Sequence, residues 1–326
     1  MAQNSVAHAV ARVHVLGRDA LDEGRIDRLL SASNYDEALR ALTEIGWTND
    51  TVKDPEQAAA EHVRAACELV RSIAPEEAAI DCFLLRYDAI NLKMLLKARC
   101  CGQEPEALSR CGTIPVDVLE RSVTDHNYSR LPETLKNALD GLEKSLAVRE
   151  DALEIDVTVD KAACQLTQER LKTVKSPVIR EYFAKRSDLM NAIMLLRVKK
   201  MGRDASFMAQ MLLPGGTIGE AEWQKAFERP ELLGKMLEKY GTQVKNAALG
   251  AAQELSKLPA LEKAMDDALL APFSKLRYDA LRPEPICGYL LGAEREAAAV
   301  RLILAGKLNG FKAEAIRERL RELYGK

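Results

Sequence analysis

The residues able to do chemistry are few in this 326-residue sequence, and their spacing argues against most of it. Four histidines occur (His8, His14, His62 and His126), none at the spacing that sets metal ligands on one helix face. Seven cysteines (Cys67, Cys82, Cys100, Cys101, Cys111, Cys164 and Cys287) form an odd set without a CxxC pair. Reduced thiols are expected, not a disulfide framework or a zinc site. The neighbours Cys100 and Cys101 read as a helix end rather than a redox device. Leu213-Pro-Gly-Gly-Thr217 is glycine-rich, but no Lys-Ser/Thr follows to hold a phosphate. There is no GxSxG turn and no strand-borne GxGxxG. Trp47 and Trp223 lie in amphipathic stretches and read as packing residues. No catalytic, metal-binding or cofactor-binding residue is expected, and no cofactor.

What the sequence does contain is a repeated polar stripe. Three segments align without gaps, beginning at Asp88, Asp188 and Glu296, which lie 100 and 108 residues apart. Counting from the acid, Asn91 and Asn191 stand at +3, where the third copy has Ala299. Apolar Leu95, Leu195 and Ile303 stand at +7, and Leu96, Leu196 and Leu304 at +8. A cation follows at +11 (Arg99, Lys199, Lys307) and glycine at +14 (Gly102, Gly202, Gly310). Positions 0, +3, +7, +11 and +14 share one stripe of an α-helix, since three turns take about 10.8 residues. Acid at the N-terminal end of the stripe and cation at its C-terminal end agree in order with the helix dipole. At 1.5 Å rise they stand about 16 Å apart, so they cannot pair within the helix. Each needs a partner on a neighbouring helix or on exposed backbone ends. The stripe therefore reads as a polar clamp that fixes helix register.

The elements that carry the stripes are helices. Aromatics make up only 5% of the chain, while Ala, Leu, Glu, Lys and Arg dominate, which favours helix over strand and makes all-α the expected class. Glu-x-Leu helix starts recur once per third, at Glu37, Glu133 and Glu231, and Gly-Thr-Ile turns stand at Gly112–Ile114 and Gly216–Ile218. The expected division is three related helical units, residues 1–114, 115–217 and 218–326. The prolines, Pro272 among them, are expected between helices or in first turns, because a helix interior tolerates them poorly. With 47 basic and 49 acidic side chains, a net charge of −2 and a pI near 6.2, nucleic acid is not an expected partner. The longest uncharged stretches fall short of the roughly 20 apolar residues a transmembrane helix needs, so no membrane span is expected. Physics of the residues alone leads to a triplicated helical protein with an adaptor or structural role.

At these residues the sequence resembles a known family, the C subunit of bacterial and archaeal V-type (A/V-type) ATPases, called the d subunit in eukaryotes. The likeness is carried by Ala11-Arg12-Val13 with Leu29-Leu30-Ser31-Ala32-Ser33, by Tyr87-Asp88-Ala-Ile-Asn91-Leu-Lys93, and by Ser187-Asp188-Leu-Met-Asn191 through Leu196-Arg197. It continues in Pro285-Ile286-Cys-Gly-Tyr289, Glu294-x-Glu296, Gly306-Lys307-Leu-Asn-Gly310 and Ile316-Arg317 to Tyr324. Ile155-Asp156 followed by Asp160 resembles a further family element. Ala299 departs from the Asn usual in the family's third copy and leaves that unit without the side chain for its polar contact. The resemblance implies a funnel of three helical domains around a pseudo-threefold axis. It implies a non-catalytic rotor protein that joins the D and F subunits of the central stalk to the membrane proteolipid ring and transmits torque. It also implies a peripheral position on the cytoplasmic face of the membrane. A helical adaptor outside any rotary motor is the competing reading.

Overall fold

The computed structural model describes residues 5–47 and 54–325, so the outer limits of the expected three-way division, residues 1 and 326, lie outside the described residues. Among the described residues there is no strand, and the fold is all-α. In chain order the helices are α1 (Val6–Leu16), α2 (Glu23–Ser31), α3 (Tyr35–Glu44), α4 (Pro55–Ile73), α5 (Glu77–Cys101), α6 (Val116–Thr124), α7 (Glu133–Leu146) and α8 (Ala152–Leu171). There follow α9 (Pro177–Lys200), α10 (Ala205–Met211), α11 (Glu220–Glu228), α12 (Leu232–Leu237), α13 (Thr242–Gln253), α14 (Leu258–Lys275), α15 (Glu284–Leu308) and α16 (Ala313–Arg317). The starts follow local chemistry. Ser5, Asp22, Asn34, Asp54, Asp151, Ser176 and Asp204 each accept a hydrogen bond from a first-turn amide that would otherwise lack a partner. Pro55 and Pro177 open α4 and α9, where a missing N–H is harmless. Pro272 corrects the proline expectation: it lies inside α14, one turn before the helix ends, where only the last hydrogen bonds are at stake.

The chain divides into two compact units. One spans Glu76–Glu228; the other joins the segment up to Pro75 with the segment from Arg229 onward. In the first, α5 packs on α6 and α8, and α7 on α8, around Leu85, Leu92, Leu96, Leu119, Leu139, Ile155 and Val159. α5 and α8 run antiparallel, and three ion pairs mark their register: Asp81 with Arg170 at 2.7 Å, Lys93 with Asp160 at 2.7 Å and Lys97 with Asp156 at 2.6 Å. These half-exposed pairs contribute about 0–1 kcal/mol each and fix alignment more than stability.

In the other unit, Leu21, Ile26, Leu29 and Leu42 from the start of the chain share a core with Val300, Ile303 and Leu304 of α15 and with Ile316, Leu320 and Leu323 at its end. The tail past α16 is tied down by charge. Arg295 on α15 and Arg321 on the tail both reach Asp266 of α14, at 3.0 and 3.1 Å. Burial would raise the Asp266 carboxyl, but the hydrogen bonds and charges of the two guanidinium groups outweigh it and hold it below the usual carboxylate range. A lowered value means stability present above the ordinary Asp range and lost as pH falls through the folded one. Asp266→Ala should therefore lower stability by about 1–2 kcal/mol at neutral pH, with a smaller loss under acid. Amide exchange of residues 316–324 should quicken in the same variant.

Candidate functional site

The three stripes turn out to be one device built on α5, α9 and α15. In α5, Asp88 is 1% exposed and ends against the loop before α6. Thr113 donates to Oδ2 from its amide (2.8 Å) and its hydroxyl (2.7 Å), and the Ile114 amide donates to Oδ1 at 3.0 Å. Asp188 of α9 repeats this against the loop before α11: Thr217 amide 2.9 Å, Thr217 hydroxyl 2.7 Å, Ile218 amide 3.2 Å. The approach is close enough to require glycine. A Cβ on Gly112 would stand 2.1 Å from Asp88 Oδ1, and one on Gly216 would stand 2.1 Å from Asp188 Oδ1. Burial pushes the Asp88 carboxyl up, while the Ile114 and Thr113 donors pull it back.

The +3 asparagines hold the same loops a few residues earlier, each as donor and acceptor at once. Asn91 donates to the Ser109 carbonyl at 2.7 Å and accepts from the Ser109 amide at 2.9 Å. Asn191 treats Leu213 the same way, at 3.0 and 2.8 Å. The +11 cations reach carbonyls in the last turns of three short helices, α6, α11 and α2. Arg99 donates to the Val123 carbonyl at 2.8 Å, Lys199 to that of Phe227 at 2.6 Å, and Lys307 to that of Leu30 at 2.6 Å. Arg99 also binds Glu143 at 2.8 Å. Burial would raise the Glu143 carboxyl, but hydrogen bonds from Tyr128, Arg99 and His126 outweigh it and hold it low. The +14 glycines, Gly102, Gly202 and Gly310, stand just past each helix end at φ of 61°, 66° and 69°, a left-handed turn that costs other residues about 1–2 kcal/mol.

Acid and cation thus hold opposite ends of one short helix. α6, α11 and α2 are each nine residues long, about 14 Å, which matches the roughly 16 Å between stripe positions 0 and +11. The acid takes the loop amides at the N-terminus and the cation a carbonyl of the last turn, where the backbone lacks internal partners and the dipole favours each charge. Each short helix must therefore run parallel to its stripe helix. The match fixes the third partner: the gripped carbonyl lies nine residues after the loop amide in Ile114/Val123, Ile218/Phe227 and Leu21/Leu30 alike. The short helix held by α15 is α2, from the start of the chain.

The third copy is chemically different. Glu296 meets the Leu21 amide, and Ala299 at +3 holds nothing polar. Glu296 is 6% exposed, and its Oε2 has no hydrogen-bond partner. Burial pushes its carboxyl up to about 7, against the Leu21 amide, the Trp47 indole and the Arg25 charge. His62 Nε2 stands 3.5 Å away, and burial lowers the His62 value. Spacing does not pick out His62 and Trp47, because they reach Glu296 from α4 and from the connection after α3. Elsewhere all seven cysteines are thiols, with Cys101 exposed at the end of α5. Among the described residues no group of three His, Cys, Asp or Glu side chains could hold a metal, and no helix is long and apolar enough to cross a membrane.

Comparison with known proteins matches the chain to one family. Residues 9–319 match the family described as ATP synthase (C/AC39) subunit. The C subunit of the V-type sodium ATPase of Enterococcus hirae is 26% identical over 262 residues, covering 78% of each chain. The C subunit of the A-type ATP synthase of Methanocaldococcus jannaschii is 23% identical over 347 residues, covering 96% of this chain and 86% of the relative.

Asp88→Ala and Asp188→Ala should each lower the free energy of unfolding by about 2–4 kcal/mol, since three buried donors lose their acceptor. Urea unfolding checks this; unchanged midpoints with lost partner binding would make these side chains interface residues instead. Glu296 should behave differently. Its raised value means stability fully present below the ordinary Glu value of 4.5 and lost as pH rises through about 7. Relative to Glu296→Gln, the natural chain should lose on the order of 3 kcal/mol across that window. His62, 3.5 Å away, titrates in the same window and is coupled to Glu296, so the comparison is made in a His62→Gln background, where parallel pH profiles would refute the assignment.

Proposed function

The chain belongs to the ATP synthase (C/AC39) subunit family, and we propose that it is the socket of a rotary ATPase, joining the D and F subunits of the central stalk to the membrane proteolipid ring. In this role it is non-catalytic and sits peripherally on the cytoplasmic face of the membrane, held there by the complex. The division into three helical units arranged as a funnel is part of the same proposal, with the third unit closed by the start of the chain.

One observation carries this reading: the clamp that pins a nine-residue helix at both ends occurs three times on three buried helices. A coupler that passes torque needs stiffness spread over many contacts rather than a reactive centre. Each clamp supplies stiffness, because shearing the short helix along its neighbour would strip charged hydrogen bonds from both ends together. The polar groups of the clamps are spent internally, which leaves the exposed surface for partners.

Tagged protein should retain the proteolipid ring together with the D and F stalk subunits when recovered from detergent-solubilised membranes of its host, as read by mass spectrometry. Recovery of soluble partners alone, at every salt concentration, would replace the socket with a helical adaptor outside a rotary motor.

A further inference from the structure

The clamp on α15 opens onto a cavity of about 180 Å³, lined among others by His14, Trp47, His62, Tyr289, Glu296 and Tyr324. That is room for several water-sized occupants, since one needs about 10–15 Å³ on such a measure. Three buried polar atoms among these residues lack a close hydrogen-bond partner, Glu296 Oε2, Trp47 Nε1 and His62 Nε2, with the indole directed at the Glu296 carboxyl and His62 Nε2 3.5 Å from Oε2. Buried groups of this kind are normally paired, so three around one cavity describe the shape of something that binds there. At the first two clamps there is no such space, because the Gly112 and Gly216 loops close directly on the carboxylates.

The chemistry of the walls selects the occupant. Glu296 is an acceptor that carries charge above about pH 7. The cations nearby are already committed: Arg25 donates to the Asp19 and Ala20 carbonyls, and the Arg277 guanidinium lies over the Tyr278 and Tyr324 rings at 5.3 and 5.6 Å. Asp19 adds a second acid to the lining. Tyr289 adds an aromatic ring to the lining, and aromatic rings attract organic cations. Trp47 Nε1 can only donate and so requires an oxygen acceptor, while neutral His62 can accept in return. An ammonium drawn to Glu296 competes for the carboxyl that the indole faces; a hydroxyl next to it gives the indole an acceptor of its own.

We propose that this cavity binds a small hydroxyalkylammonium ion, its ammonium on Glu296 and its hydroxyl between Trp47 Nε1 and His62 Nε2. The proposal is independent of the rotor reading. The chain has two tryptophans, so the full-length ¹⁵N-labelled protein gives two indole signals, and buried Trp223 serves as an internal reference. Titration with ethanolammonium chloride at pH 8 and constant ionic strength should shift the Trp47 indole saturably and leave Trp223 unmoved. Ethylammonium, lacking the hydroxyl, should bind at least about threefold more weakly, and Glu296→Gln should weaken ethanolammonium binding by about tenfold or more. Unmoved backbone amide signals of Ile303 and Leu320, in the core of the unit that carries Glu296, certify that the variant is folded, and Trp47→Phe, read by saturation transfer to the ligand, should also weaken binding. Linear shifts without saturation, equal movement of both indoles, equal binding of ethylammonium, or undiminished affinity in Glu296→Gln would each overturn the proposal.

Discussion

A helix of nine residues has too few internal hydrogen bonds to hold itself together, because the first four amides and last four carbonyls have no partner within it. Everything distinctive in this protein answers that constraint. A long buried helix lies alongside and offers a carboxylate at one end and a cation at the other, spaced to reach both ends of the short one. The carboxylates stay buried because each accepts three hydrogen bonds, which offsets the loss of water. Glycine opposite the carboxylate and glycine past the helix end then follow from geometry, one by close approach and the other by a left-handed turn.

The third clamp varies the same design and loses part of it. Replacing Asn by Ala at +3 and Asp by Glu at 0 removes the loop grip and lengthens the acid, so a carboxylate oxygen is left facing a cavity instead of a closed turn. The change coincides with a break in the chain. The loops gripped by α5 and α9 come within about 30 residues downstream of their acids, whereas the one gripped by α15 comes from residues near 21, more than 270 positions away. A loop supplied by the start of the chain is free to pack differently, and here it leaves space beside Glu296.

Several features were legible in the sequence for plain physical reasons. Composition and the 3.6-residue period specify helices, and the recurrence of acid, cation and glycine at 0, +11 and +14 locates the three equivalent helices, because helical geometry puts those positions on one face. The distance between acid and cation already required partners outside the helix. The Gly-Thr-Ile turns were visible as well, whereas Asp156 and Asp160, which pair with Lys97 and Lys93 across α5 and α8, stood out only through the family resemblance.

Which groups meet was settled in three dimensions. Nothing in the local pattern joins Asp88 to the Ile114 amide or Lys307 to the Leu30 carbonyl, since a hydrogen bond made by a backbone group leaves no trace in the side-chain type of its residue. The placement of Trp47 and His62 around Glu296 depends on how α4 and the end of α3 pack against α15, and packing depends on the summed shapes of distant segments. Pro272 inside α14 is a smaller case: propensity disfavours it, and tertiary contacts outweigh one missing hydrogen bond. The helices and their repeating stripe could be read from the residues in order, because both are periodic along the chain. Their partners could not, because those follow from proximity across the fold.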